Sequence, residues 1–384
     1  MDTAPASFDL ARWRTEFPIT QDLVYLDHAS LGPMPARTVQ AIAARLQAQS
    51  RRGSLEHAGL HELAETCRGE FADYIGARAD QIAYTPNTSG GLSMLAAGLS
   101  WREGDEVVVP AIDFPSAVLP WMTLQRHGVR VLRVPCEDGR VDAQRLLQAC
   151  TPRTRLVCAS WVQFSSGCVL DLMALGTACR QRGILLAVDA IQAVGAIDVD
   201  VSALPVDALA THSYKWLLGP QGIGWLYLAD TLRDRLQLSA AGPRSVRLGD
   251  SYFDHRLDPL PGAARLETGI LPFHLIAGAS ASLRLLREAH AQGAAARVRR
   301  LNAHLSEGLL RAGCQLRGGP DRGAFDAGIV SFVPPRGTSA QCRQHLLDAG
   351  IVTSDREGCI RVSPHFYNTE DELDALLARV RELT

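Results

Sequence analysis

Three observations predict an α/β fold: a mostly parallel sheet covered on both faces, followed by a smaller α+β unit. Strand-like apolar runs alternate with helical patterns through the middle of the chain, which implies crossover connections and a parallel sheet. Residues able to do chemistry (Asp113–Phe114, Gln163, Asp189 and Lys215) fall at or just after the ends of such runs, where ligands of open α/β sheets sit. Beyond about Gly262 the alternation gives way to long helices with a few short strands between them.

The elements follow in order. Residues 8 to 17 suit a short helix, with Phe8, Leu10, Trp13 and Phe17 on one side. A short strand then runs into the proline-bounded loop VYLDHASLGPMP (Val24 to Pro35). Arg37 to Ser50 and Gly59 to Ile75 carry helical spacing. Thr85 to Leu99, TPNTSGGLSMLAAGL, is a turn leading into an Ala- and Leu-rich helix. The alternating block comprises strand Glu106 to Pro110, a helix near Val118 to His127, strand VRVLRVP, helix Ala143 to Cys150, strand TRLVCASWV and helix Leu172 to Arg182. Strands Ile184 to Ala190, Ala208 to Ser213 and IGWLYLA complete it. His255 to Gly262 suits an inter-domain crossing. Helices follow at Ile276 to Ala289 and Ala294 to Ala312, then strand Gly328 to Val333, helix Ser339 to Ala349, segment CIRVSP and helix Glu370 to Leu383. The expected division is an N-terminal segment 1–24 packing on the small domain, a large domain 25–262 and a small domain 263–384.

At 384 residues the chain exceeds the size at which single cores usually split. Its composition is globular, 47% hydrophobic and 21% charged, and a net charge of −2 gives no basic bias toward nucleic acid or an anionic membrane. Nine scattered cysteines without a CxxC pair read as reduced thiols in an intracellular, cytoplasmic protein, not as a disulfide framework or a zinc site. The first residues, MDTAPASFDLARWRTEF, carry early acids and no apolar segment, so no signal peptide is expected; no run is long and apolar enough to span a membrane. No GxGxxG follows an early strand, which disfavours a nicotinamide dehydrogenase.

The chemistry centres on Thr211 to Tyr227, THSYKWLLGPQGIGWLY. Lys215 sits there among His212, Tyr214 and Trp216, before a glycine-rich turn. Burial among apolar groups lowers an amine's pKa and makes it a nucleophile toward carbonyls. A lysine snorkelling from a buried strand gives the same local pattern. Two further signals bear on the choice. Asp189 ends the apolar run ILLAV and needs a cationic partner if buried, a need that a heteroaromatic N–H meets. The hydroxyls of Thr88 and Ser89 stand at a helix start, where they cap the helix or help its amides hold a phosphate. A carboxylate for a pyridinium, a lysine for an aldehyde and a helix start for a phosphate together describe a pyridoxal 5′-phosphate (PLP) site.

The motifs YLDHASLGPMP, PNTSGG, DFPSA, WVQFSSG, VDAIQAVGA, SYKWLLGPQGIGWLY, LETGILPF and IRVSPHFYNTEDEL carry a resemblance over nearly the whole chain. It resembles the class V aminotransferase group of fold-type I PLP enzymes, which includes cysteine desulfurases, kynureninases, isopenicillin-N-epimerase-like proteins and C–S lyases. The resemblance implies a large domain with a seven-stranded, mostly parallel sheet, a homodimer with active sites near the subunit interface, and an amino-acid substrate. Lys215 would form the Schiff base and later carry a proton at the substrate Cα. Asp189 would keep the pyridine nitrogen protonated, Gln192 would bond the ring hydroxyl and Phe114 would stack on the ring. Thr88, Ser89, His212 and Tyr214 would hold the phosphate. Arg361 would clamp the substrate carboxylate, with Gln163 and His28 lining the pocket. Structural roles remain open beside these: core packing for Phe114 and Tyr214, a cap for His28, a surface position for Gln192 and an ordinary ion pair for Arg361.

Two departures stand out. Ile270 occupies the place where much of the group has a threonine reaching the partner's phosphate; Thr268 or backbone amides are the available substitutes. Desulfurases carry a catalytic cysteine on a mobile loop before the arginine, whereas the interval Ile351 to Ile360 is short and its one thiol is Cys359. The expectation is therefore β-elimination from a cysteine derivative, with transamination or epimerisation as alternatives and a persulfide-forming desulfurase disfavoured. A non-catalytic subunit that kept the fold conflicts with the full set of Lys215, Asp189, Gln192 and Arg361.

Overall fold

The computed structural model describes residues 8–248, 251, 253–319 and 327–383. The chain starts with α1 (Leu10–Arg14), β1 (Val24–Tyr25), α2 (Ala36–Arg52) and α3 (Leu60–Tyr74). It continues through β2 (Ile82–Thr85), α4 (Thr88–Gly98), β3 (Glu106–Pro110), α5 (Pro115–Met122) and β4 (Arg130–Val134). Then come α6 (Ala143–Ala149), β5 (Thr154–Ser160), α7 (Leu172–Gln181), β6 (Leu185–Asp189), β7 (Ala208–His212), β8 (Gly224–Leu228) and α8 (Asp230–Arg233). These strands form one seven-stranded sheet of order β2-β8-β7-β6-β5-β3-β4, in which β8 runs antiparallel to both its neighbours. The sheet is the mostly parallel one expected. Its central strands are buried along nearly all of their length, between one apolar cluster on each face, which explains why they read as apolar runs.

The second part comprises α9 (Phe273–Ala291), α10 (Ala294–Arg311), β9 (Gln315–Leu316), β10 (Val330–Val333), α11 (Ser339–Asp348), β11 (Ile351–Val352), β12 (Ser354–Arg356), β13 (Cys359–Val362) and α12 (Glu370–Arg381). A four-stranded sheet, β12-β13-β10-β9, shares a third apolar cluster with α10, α11 and α12. Residues of the described N-terminal segment contact this part. Trp13 and Phe17 pack on Phe366 and Tyr367, Arg14 pairs with Glu372, and β1 pairs in parallel with β11. Helix α9 packs against α2 and α3, so it ties the C-terminal part to the large sheet unit.

Boundaries shift where local chemistry intervenes. The helix expected at 118–127 begins at Pro115, which fits the first helical turn because its missing N–H has no partner there. Its tail, Thr123–His127, tightens into a 3-10 helix and ends at Gly128. No helix among the described residues is long and apolar enough to cross a membrane.

Candidate active site

Four strand ends converge. The register aligns Ser160 of β5, Asp189 of β6 and Ala210 of β7, so Asp113, Asp189, His212 and Lys215 emerge at one edge of the sheet. Lys215 lies one turn beyond β7. Its carbonyl accepts the Leu218 N–H at 3.0 Å, and Gly219 N–H closes back on the Ser213 carbonyl at 2.8 Å. The loop after β1 lies against this turn: Gly32 N–H donates to the Tyr214 carbonyl at 2.8 Å. A Cβ at Gly32 would stand 2.2 Å from the Lys215 carbonyl oxygen, so only glycine permits the contact.

The Lys215 side chain is 8% exposed, and its Nζ lies 5.9 Å from the Phe114 ring and 5.7 Å from the Tyr214 ring. Burial lowers the amine's pKa, the Arg361 charge lowers it further, and Asp189 opposes both. Asp189 is buried; its Oδ1 accepts the Ile191 N–H at 3.1 Å, while Oδ2 has no partner. Burial raises its pKa and Lys215 pulls it back. Phe114, 44% exposed, meets Phe164 edge-on at 5.2 Å beside the lysine.

Around the start of α4, Asn87 caps the helix through the Gly90 N–H at 2.8 Å. Thr88 Oγ1 is buried without a partner, and Ser89 Oγ shares a hydrogen with Ser116 Oγ at 2.7 Å. His212 Nε2 lies 3.0 Å from the Pro86 carbonyl and 3.2 Å from the Gly222 N–H, while Nδ1 is buried without a partner. Burial pushes its pKa down to about 4, so the ring is neutral near pH 7. If Nε2 accepts from Gly222, Nδ1–H becomes a free donor. Tyr214 stacks edge-on against this ring at 4.5 Å, and burial raises its hydroxyl pKa, keeping it a donor. Gln192 Nε2 donates to the Ala29 carbonyl at 3.0 Å and Oε1 accepts from Trp216 Nε1 at 2.8 Å, which leaves one amide N–H available.

Arg361 is buried. Its Nε donates to Ser354 Oγ at 3.1 Å, Nη1 to the Phe164 carbonyl at 2.9 Å, and Nη2 to Ser30 Oγ at 2.6 Å and Asp27 Oδ1 at 3.4 Å. Burial lowers its pKa to about 10, with Asp27 working the other way. Thus Lys215, Asp189, Phe114, Tyr214, His212 and Arg361 are assembled around one site.

Two expected pocket residues are not on an open wall. His28 is fully buried: Nδ1–H donates to the Ser363 carbonyl at 2.8 Å, Tyr367 Oη donates to Nε2 at 2.6 Å, and the ring packs against Trp216 and His365. With both nitrogens engaged it ties the loop after β1 to the C-terminal part. Gln163 is also buried; it donates to the Ile112 carbonyl at 2.8 Å and accepts from Ser165 N–H at 2.7 Å, so it braces the loops after β3 and β5. Residues not singled out from the sequence surround Arg361, namely Asp27, Ser30, Ser354 and Arg356. Asp27 and Ser30 lie inside the YLDHASLG motif, but only the fold brings them to the arginine.

Ile270 is 88% exposed. With Thr268 and Gly269 it lines a cavity of about 250 Å³ that also touches Pro86 and Gly222, the two partners of His212. The loop is anchored below by a buried ion pair, Arg68 Nη1 to Glu267 Oε1 at 2.5 Å. Cys359 is buried with its Sγ 3.8 Å from Arg317 Nη1, and the hairpin before it has only Glu357 and Gly358 at its tip.

The Aminotransferase class-V family profile matches residues 24–376. The chain belongs to the class-V aminotransferase family. This class-V enzyme is 30% identical to a probable cysteine desulfurase of Methanothermobacter thermautotrophicus, over 96% of this chain and 97% of that protein. It is 27% identical to the isopenicillin N epimerase of Amycolatopsis lactamdurans, over 97% and 98%. Among solved structures it is similar to the cystine C–S lyase C-DES in complex with its product cysteine persulfide (TM-score 0.89, 25% identity, 96% and 99% covered). A C-DES mutant with glycine covalently linked to the PLP cofactor matches with TM-score 0.90, 25% identity and 97% and 99% covered. The class-V enzyme is PLP-dependent, and its residues fit that cofactor. Thr88 Oγ1, Asp189 Oδ2 and His212 Nδ1 are buried polar atoms without protein partners, which is unfavourable in an empty protein interior. The Thr88 hydroxyl and the His212 ring would suit a phosphate, and the Asp189 carboxylate would suit a protonated ring nitrogen.

Proposed function

We propose that this class-V enzyme is a C–S lyase that performs β-elimination on an L-cysteine derivative. The carrying observation is the closed Glu357–Gly358 hairpin with Cys359 buried beside Arg317: the thiol has no loop to travel on. Of the nine cysteines, eight are buried, and the ninth, Cys136, points at the Val134 carbonyl at 3.4 Å. A reaction that leaves sulfur on the departing group needs no enzyme thiol. The likeness to a cystine C–S lyase supports the reading, while the relatives described as probable desulfurases motivate the competing outcome.

Bound PLP supplies an aldehyde for the substrate amine and an electron sink that acidifies the α C–H. Lys215 would hold the cofactor, and its amine, kept weakly basic by burial, would take the substrate α-proton. Asp189 holds the ring nitrogen's proton. Thr88, Ser89, His212 and Tyr214 would hold the phosphate, Gln192 would offer its remaining N–H to the ring hydroxyl, and Phe114 would cover the ring. Arg361 orients the α-carboxylate. The β C–S bond breaks, the sulfur leaves with its electron pair and a proton, and hydrolysis yields pyruvate and ammonia.

We also propose a homodimer. Val39 and Leu46, seven residues apart on α2, together with Leu55 and Ile270, are exposed apolar side chains. Light scattering tests this. We retain the division 1–24, 25–262 and 263–384, with α9 as the element joining the last two.

Incubation of holoenzyme with L-cystine and S-substituted cysteines tests the reaction. Pyruvate, ammonia and the released thiol or persulfide in equal amounts are expected. Alanine with enzyme-bound sulfur means desulfuration, stoichiometric keto acid with the aminated cofactor means transamination, and a D-amino acid means epimerisation; each overturns the proposal.

A further inference from the structure

The β12–β13 hairpin places a second guanidinium beside Arg361. Ser354 pairs with Arg361 and Arg356 pairs with Cys359, so Arg356 and Arg361 are diagonal neighbours on one face of the hairpin. Glu357 and Gly358, both at positive φ, close the hairpin in two residues and leave its base little freedom. Arg356 Nη2 donates to Ser30 Oγ at 3.0 Å, and Arg361 Nη2 donates to the same oxygen at 2.6 Å. The two cations therefore share one hydroxyl. Their situations differ. Arg361 is buried and has Asp27 within 3.4 Å. Arg356 is half-buried; its Nη1 donates to its neighbour's carbonyl, Asp355 O, at 2.7 Å, and among the described residues no carboxylate pairs with it. Its charge also reaches Lys215.

One carboxylate, Asp27, thus faces two neighbouring guanidinium groups, like charges side by side repel, and a guanidinium fork matches a carboxylate. We infer that Arg356 binds a second carboxylate, on the leaving-group side of the substrate, so that the preferred substrate is a doubly carboxylated cysteine derivative: a disulfide or thioether whose far end is an acid. This rests on the C–S lyase reading and names the substrate class of the same site. Arg361 takes the α-carboxylate and Arg356 takes the distal one, with Ser30 Oγ accepting from both forks.

The test compares L-cystine with the mixed disulfide of cysteine and cysteamine, which keeps the distal amine and lacks only the distal carboxylate. Holoenzyme is assayed by pyruvate release, and binding is followed by the change in cofactor absorbance. The wild type is expected to favour L-cystine in kcat/KM by roughly 10- to 100-fold, mostly through KM, the size of a charge-assisted hydrogen-bonded pair. Arg356→Gln should bring the ratio to within about threefold of one, and Arg356→Lys should restore part of it. A wild-type ratio near one, or an Arg356→Gln ratio equal to the wild type's, overturns the inference and leaves the lyase reading standing. Pyruvate from neither disulfide overturns the lyase reading and the inference with it. A change of oligomeric state in Arg356→Gln would assign the guanidinium to a subunit contact and overturn the inference.

Discussion

Replacing Asp113 by asparagine probes a half-satisfied buried carboxyl near the site. Asp113 follows β3 and precedes Phe114. Its Oδ2 accepts the Ser160 N–H at 2.8 Å, and Oδ1 is buried without a partner. Burial pushes its pKa up to about 7, the Ser160 N–H opposes this, and the negative charge of Asp189 adds to it. The ordinary value is 3.8. Because the folded pKa is the higher one, the group's favourable contribution is complete below pH 3.8 and is lost as pH rises through 7. A gap of about three units corresponds to roughly 4 kcal/mol by linkage. Asparagine keeps an oxygen for Ser160 and has no such titration. The free-energy difference between wild type and Asp113→Asn should therefore shift by roughly 2 to 4 kcal/mol in the variant's favour between pH 4 and pH 8, allowing for relaxation around the charge. Urea unfolding of the cofactor-free proteins across that range measures it. A difference independent of pH would refute the claim that Asp113 is a neutral carboxyl in the fold at moderately acid pH.

Other substitutions separate the roles of the site. Asp189→Asn removes the carboxylate that keeps the ring nitrogen protonated, and turnover should fall by roughly 100-fold or more at saturating cofactor. Arg361→Lys keeps the charge but loses the planar fork; KM should rise about 10-fold or more with a smaller change in kcat. Cys359→Ser should leave pyruvate formation within about twofold of wild type, because the thiol faces Arg317 and takes no part in the chemistry. Gly328→Ala places a methyl 2.2 Å from the Trp216 ring at a φ of +75°, and thermal unfolding should show a loss of more than about 2 kcal/mol.

Much of the site was legible because its residues lie where local sequence and topology agree. Lys215, Asp189, Phe114 and His212 each sit at or near the end of an apolar run, and a parallel sheet gathers such ends at one edge. The central strands were legible because burial on both faces makes them apolar segments. What escaped depends on distant pairing. The two- and three-residue strands β9, β11 and β12 have no periodicity to read. His28 resembled a pocket residue because its motif is mostly loop, yet its partners, Ser363 and Tyr367, lie more than 300 residues away. Gln163 was placed correctly at a strand end, but its amide is engaged by Ile112 and Ser165. Arg356 was invisible because a role for it requires the register of the β12–β13 hairpin and the approach of Ser30 from the loop after β1.

The central claim is that Lys215 carries the cofactor. Borohydride reduction of the holoenzyme followed by peptide mass mapping tests it directly. The phosphopyridoxyl group is expected on the peptide containing Lys215, and Lys215→Ala is expected to carry no label on protein even where it keeps cofactor bound without a lysine link. A label on another residue, or protein labelling that persists in Lys215→Ala, would contradict it.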